Sequence, residues 1–295
     1  MRTLVWILAC LCAANALGCS VATDVDGYAF EDSPCPRPAH ACTGGRALWF
    51  VISRGDIARS VGDEIAGFNL DATAEAVCGH ADKISPVGTP GIDNAASPLL
   101  AVLEDPMHRT DEVLFEGLLS GVITVLQVNH VDDLVSDDCV DVQIRRAAVP
   151  SGQDPPTYLD ADRDGMLDPD LHLNVNSITA RDDRACITGG ILHANEGDLP
   201  TLFPSTPVPM EVDTTALHLR AQVSETGLTE GWQGGGVSVV DLVSVLHLEE
   251  QPFLVSVLET SADLYPMRDG SCSHISFAYT FEAIPFTPQV SGTPP

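Results

Sequence analysis

The chain has 295 residues, with 42 acidic side chains against 14 basic ones and a formal net charge of −28. That balance argues strongly against a nucleic-acid binder, because affinity for phosphates comes from Lys and Arg displacing counterions. It argues equally against docking by charge on an anionic membrane. A hydrophobic fraction of 44% is enough for a packed core and unlike that of a disordered chain.

The N-terminus reads as an export signal. Arg2 supplies the positive charge, Leu4 to Ala14 is an almost unbroken apolar run, and Ala16-Leu17-Gly18-Cys19 follows. The run is too short for a comfortable membrane span, so residues 1–18 are expected to be a signal peptide. Small residues before a Cys resemble the lipobox cut by the lipoprotein signal peptidase, with Ala16 where that pattern usually has Leu. The resemblance implies that Cys19 is lipidated and becomes the first residue of the mature chain. The membrane is then reached through a lipid anchor only. Ser20 is not the Asp that retains lipoproteins at the inner membrane, so the same resemblance points to the outer membrane.

Cys10 and Cys12 leave with the signal and Cys19 takes the lipid. Cys35, Cys42, Cys78, Cys139, Cys186 and Cys272 remain, an even number in an exported chain, which implies disulfides. Cys35 and Cys42 flank a short Pro-bearing loop and are expected to pair. Taking the rest in order gives Cys78–Cys139 and Cys186–Cys272. No zinc-type spacing is present.

Residues 19–45 are acidic, Gly- and Pro-bearing and without period, and read as a tether. A strand-like texture begins at Ala47 to Ile52. Further short strands are expected at Leu118 to Val128, Val140 to Ile144, Leu171 to Val175, Ile187 to Leu192, Leu217 to Val223, Phe253 to Leu258 and Ile275 to Ala283. Leu217 to Val223 and Ile275 to Phe281 alternate apolar and polar residues, the mark of a half-buried antiparallel strand. Helix signals are few: a turn at Asp71 to Cys78, and Ser238 to His247, where Val239, Leu242, Val243 and Leu246 share one helical face. Gly234 to Gly236 reads as a turn, and Trp232 as a loop residue. The expected fold is mainly β: an antiparallel β-sandwich or jelly-roll-like single domain over 46–286, with one or two short helices and a Pro-rich tail at 287–295.

The sharpest local motif runs from Asp160 to Asp168. Asp160, Asp162 and Asp164 stand at positions 1, 3 and 5, Gly165 at 6, the Met166 carbonyl at 7 and Asp168 at 9. Calcium loops need oxygen ligands at that spacing and a Gly at the sharp turn. The stretch resembles the calcium loops of EF-hands, dockerins and thrombospondin type 3 repeats. It departs at position 12, which is Leu171 instead of a bidentate Glu, and Pro155-Pro156 precludes a normal entering helix. The resemblance implies a static calcium site of extracellular type. An acidic surface turn without an ion accounts for the same residues.

A second constellation gathers Asn69, Asp71, Asp82, Asp93 and Asn94 on Gly- and Pro-rich stretches. Hard oxygen ligands on loops that can fold back again suit calcium. The competing reading makes Asp93-Asn94 the N-cap of a helix starting near Ala95. Gly67-Phe68-Asn69-Leu70-Asp71 and Gly91-Ile92-Asp93-Asn94 resemble the Gly-Phe-Asp-Leu-Asp and Gly-Ile-Asp-Asn stretches of a group of uncharacterised acidic exported lipoproteins from GC-rich bacteria. The resemblance extends to Cys272-Ser-His-Ile-Ser-Phe and implies an architecture, not an activity. The acidic stretch Asp132 to Asp141 reads as a solvated turn, with a third ion as the competing reading.

Enzymatic motifs are lacking: no Gly-x-Ser-x-Gly, no His-Glu-x-x-His, no Walker loop and no dinucleotide fingerprint. The nine His are scattered, and His80 and His130 read as surface residues. Aromatic residues are 5% of the chain, few for a sugar platform. The expectation is therefore an exported, lipid-anchored, calcium-stabilised module that binds or supports, with an unidentified protein or glycan ligand. The competing class is a calcium-dependent hydrolase of polysaccharide or peptide. A third reading is capture of small apolar ligands inside the β domain.

Overall fold

A computed structural model describes Cys35 and residues 41–73, 78–103, 123–150, 159–160, 164–168, 171–194, 199–203, 210–245 and 247–288. The expected signal peptide, the lipidation site Cys19, most of the tether and the end of the tail lie outside the described residues. The chain divides into two compact units.

The first unit comprises 33–57, 107–234 and 279–295. It is built from β1 (Arg46–Ile57), β4 (Ile123–Val131), β5 (Ser136–Ala148), β6 (Asn174–Thr188), β7 (Ile191–Ala194), β8 (Leu199–Phe203) and β9 (Met210–Ser224), with parts of β10 (Gly227–Ser238) and β12 (Cys272–Pro285). The sheet order is β1-β4-β5-β6-β7-β9-β10-β12, and β12 returns to pair with β1. The result is a closed barrel of eight strands. The expectation of a mainly antiparallel β fold holds, but the sandwich or jelly roll gives way to a barrel. Alternation reports only that one face of a strand is buried, and a sandwich and a barrel alternate alike. Register breaks decide the difference. β1 slips against both of its neighbours and β5 slips repeatedly against β6. Such bulges bend long strands and raise their twist, so one sheet curls until its edges meet.

Phe50, Leu126, Val142, Ile187, Leu219 and Phe281 belong to the cluster that fills the barrel. Val51, Ile123, Val125 and Ala147 take the alternate positions and form a second apolar patch with Leu159, Leu167, Leu171 and Leu173. The segment carrying the Asp160 motif is thus packed by its leucines on the outer wall. Gly234 to Gly236 and Trp232 are not a loop but lie within β10. Gly231 has a packing reason of its own: a Cβ there would lie 2.7 Å from both the Phe281 ring and the Phe281 carbonyl oxygen.

Among the described residues, the second unit lies within 58–106 and 235–278. It holds the hairpin β2 (Lys83–Ile84) and β3 (Pro90–Ile92), α1 (Ala96–Leu103), α2 (Val239–Val245), α3 (Pro252–Ser261), β11 (Leu264–Pro266) and the first half of β12. The expected helix near Ser238 to His247 is α2. Phe253 to Leu258 was expected as a strand and forms most of α3 instead. A short apolar run fits either element; Pro252 at the start favours the helix, and Leu258 faces a core with Val239, Ala262 and Ile275. The described ends of Asp71 to Cys78 are not helical, since Ala72 and Cys78 have left-handed φ values of 57° and 50°. Among the described residues no helix is long and apolar enough to cross a membrane.

The six expected cysteines all form disulfides, with different partners. The bonds are Cys35–Cys186, Cys42–Cys139 and Cys78–Cys272, so none of the expected pairs occurs. Closeness in sequence is a poor guide because a disulfide needs Cα atoms about 5–6 Å apart, and only the fold brings them there. Two of the bonds fasten Cys35 and Cys42 to β6 and β5, so the end of the expected tether is held by the barrel rather than by its own small loop.

Candidate metal centre

The hairpin β2–β3 places two carboxylates at its open end. Asp82 directly precedes β2 and Asp93 directly follows β3. Asp71 arrives from the neighbouring segment, where Phe68 bridges to Asp93 and the Asp93 amide donates to the Phe68 carbonyl at 2.9 Å. One carboxylate oxygen from each of Asp71, Asp82 and Asp93 lies within 4.8 Å of the others.

Local hydrogen bonds hold two of the three side chains. Asp93 Oδ2 accepts from the amides of Leu70 at 2.6 Å and Asp71 at 3.3 Å. Asp71 Oδ1 accepts from the Thr73 amide at 3.0 Å. Asp71 Oδ2, Asp82 Oδ2 and Asn69 Oδ1 are buried acceptors with no partner. Asp71 and Asp93 are only 6% and 4% exposed. Gly91 allows the close approach on this side: its φ is 81°, and a Cβ would sit 2.6 Å from both Asn69 Nδ2 and the Thr73 carbonyl.

Crowding buried carboxylates makes each harder to ionise. Burial, then the charges of Asp71 and Asp263, push Asp82 up to about 7. Burial, then the charges of Asp71 and Asp263, push Asp93 up to about 9. Asp71 is raised mainly by burial. Asp263 is also raised by burial, to about 6, against the lowering effect of its hydrogen bonds from Ser276.

Asn94, placed with the ligands in the sequence reading, has another task. Its Oδ1 accepts from the Ser97 amide at 3.2 Å and its Nδ2 donates to the Ala66 carbonyl at 3.3 Å. It caps α1, while Asp93 beside it turns to the cluster. The capping reading of the pair thus holds for Asn94, while Asp93 faces the other two carboxylates. Asp263 and Ser276 went unrecognised as parts of this centre. A lone Asp between Ala262 and Leu264 carries no pattern, although Ser276 falls in the stretch that resembles the acidic lipoproteins.

In the Asp160 motif, Asp160 binds the turn with both oxygens. Its Oδ1 accepts from the Asp164 amide at 3.0 Å and its Oδ2 from the Gly165 amide at 3.1 Å. Asp164 Oδ1 accepts from the Met166 amide at 2.8 Å, and the Asp168 amide donates to the Leu159 carbonyl at 3.0 Å. The Met166 side chain is exposed. Asp162 lies outside the described residues.

The remaining acidic stretch is organised by its own backbone. Asp137 Oδ2 accepts from the Asp132 amide at 2.8 Å, and Asp133 Oδ1 from the Val135 amide at 2.7 Å. Asp141 is different: it is buried on the barrel wall and pairs with Arg181 at 2.6 Å, with Asn129 and Gln143 donating to its other oxygen. His80 and His130 hydrogen-bond backbone carbonyls of Thr260 and Gly44. The Arg220 guanidinium lies 4.7 Å from the centre of the Trp232 ring. Compared with protein-family models, with curated proteins and with solved structures, the chain matches none of them.

Proposed function

We propose that Asp71, Asp82 and Asp93 hold a calcium ion, and that the protein is an exported, lipid-anchored, calcium-stabilised module of the cell envelope that binds or supports. The observation that carries this reading is the meeting of three carboxylates in the second unit, with buried oxygens of Asp71 and Asp82 left without a hydrogen bond. A buried, unpartnered carboxylate is costly, and three together repel one another. A hard cation removes both penalties at once. The donor set contains oxygen only, which favours calcium or magnesium over metals that prefer His or Cys. Calcium accepts a looser and more variable oxygen shell than the near-ideal magnesium octahedron, which suits ligands drawn from three separate stretches of chain. The Asp160 loop is a second candidate on the same chemistry.

Export is supported by the paired cysteines, since disulfides persist in oxidising compartments, and by the signal-like N-terminus ending at Cys19. A filled barrel argues against capture of a ligand inside it. The binding partner of such a module is an unidentified protein or glycan.

Thermal unfolding of the oxidised protein in excess calcium and in chelator tests the reading. Calcium at a hundred times its dissociation constant adds about 2.7 kcal/mol if only the folded state binds, a shift of several degrees for a protein of this size. The shift is expected to disappear in Asp93→Asn and to persist in Asp160→Ala if the two sites are independent. A wild-type Tm that ignores calcium overturns the proposal.

A further inference from the structure

We infer that Asp263 is a positioning residue of this centre: it sets cation affinity by its charge and by holding Asp93 through Ser276 and Ala95, without touching the ion. The inference rests on the cation reading of the cluster. Asp263 is 5% exposed and Ser276 is fully buried. Both oxygens of Asp263 are taken by one residue. Oδ1 accepts from the Ser276 amide at 2.8 Å, and Oδ2 accepts from the Ser276 hydroxyl. The Ser276 hydroxyl accepts in turn from the Ala95 amide at 2.8 Å. Ala95 is two residues beyond Asp93, so the carboxylate steadies the segment that carries the most buried acid of the cluster.

The placement of Asp263 is itself rigid. Its amide donates to the His274 carbonyl at 2.9 Å, and its neighbour Leu264 pairs with His274 in the β11–β12 ladder. The Cys78–Cys272 disulfide anchors the same strand to the segment between Asp71 and Asp82. The carboxylate therefore cannot swing into the cluster without breaking both of its hydrogen bonds to Ser276. It acts across space instead: its negative charge bears on both Asp82 and Asp93. A fourth negative charge behind three ligands deepens the well for a cation while leaving the coordination shell unchanged. Partners outside the shell commonly change metal affinity by about 10–100-fold when altered.

Terbium, a luminescent stand-in for calcium, reads affinity and shell separately. Titration of the full chain, disulfides formed, gives the dissociation constant, and the luminescence lifetimes in H2O and D2O give the number of waters on the ion. Asp263→Asn keeps the shape and removes the charge. It is expected to weaken terbium and calcium about tenfold with the water count unchanged. Ser276→Ala keeps the charge and removes the link to Ala95, so weaker binding is expected there as well. It carries the test if Asp263→Asn fails to fold. Unchanged affinity in these variants overturns the positioning role. An added water in Asp263→Asn also overturns it, because Asp263 would then be a ligand. Absence of terbium and calcium binding in the wild type removes the cation reading itself, an outcome visible before any variant is made.

Discussion

Asp93 and Asn94 are neighbours in the chain with unlike roles. Asn94 closes the first turn of α1, so Asn94→Ala should cost about 1 kcal/mol, the usual loss for a helix cap. Its calcium-induced rise in Tm should equal that of the wild type, because the cluster is intact. Thermal scans of Asn94→Ala with calcium and with chelator check this, and a lost response would put Asn94 among the ligands. The cluster also predicts a pH dependence. Asp82 and Asp93 rise from an ordinary value of 3.8 to about 7 and about 9 in the folded protein. A carboxyl raised on folding contributes its full stabilisation below its unfolded value and loses it as pH climbs through the folded one. Without calcium, these two residues therefore withdraw stability between about pH 4 and pH 9. A bound ion replaces the protons, so the calcium-induced rise in Tm should be larger at pH 8 than at pH 5. His193, His218 and His274, which burial lowers, contribute alike with calcium and with chelator and cancel. Equal shifts at the two pH values would contradict the account.

At the scale of elements, what the sequence showed was where one face is buried. β9 and β12 are legible in the alternation of Leu217 to Val223 and Ile275 to Phe281, and β1 in its apolar run. The two carboxylates beside β2 and β3 were legible as oxygen donors that recur on Gly- and Pro-rich stretches able to fold back on one another. Closure was not legible, because register slips such as that between Ile52 and Arg54 leave no residue pattern. The glycines of β10 misled for a physical reason: Gly marks turns, but in a strand it also marks a close approach. Gly231 meets Phe281 in this way. Gly231→Ala should therefore destabilise the barrel by about 1–3 kcal/mol, the range for overpacking, although Ala is otherwise the better residue in a strand interior. Chemical denaturation followed by the fluorescence of Trp49 and Trp232 measures this, and an unchanged midpoint would show that β12 yields at Phe281, ring and carbonyl together, without cost.

For the whole molecule, the two units would draw on disulfides and cation to different degrees. Cys35–Cys186 and Cys42–Cys139 close spans of 151 and 97 residues within the barrel unit. Bonds over such spans chiefly restrict the unfolded chain, so the barrel is stabilised without a metal. The second unit has a smaller apolar cluster, one disulfide and the buried acids. Its free energy should thus depend on an ion far more than that of the barrel. Proteins open in sub-global pieces, and a ligand slows exchange most in the piece whose opening releases it. Hydrogen exchange with and without calcium should show protection rising in residues 58–106 and 235–278. Exchange in β4, β5 and β6 should stay within error at sub-denaturing conditions. If those barrel strands gain as much as the hairpin β2–β3, either the two units open as one block or the ion is held elsewhere, and Asp93→Asn separates these cases. A gain that survives Asp93→Asn locates the ion outside the cluster, with the Asp160 loop on the barrel wall as the next residue set to change.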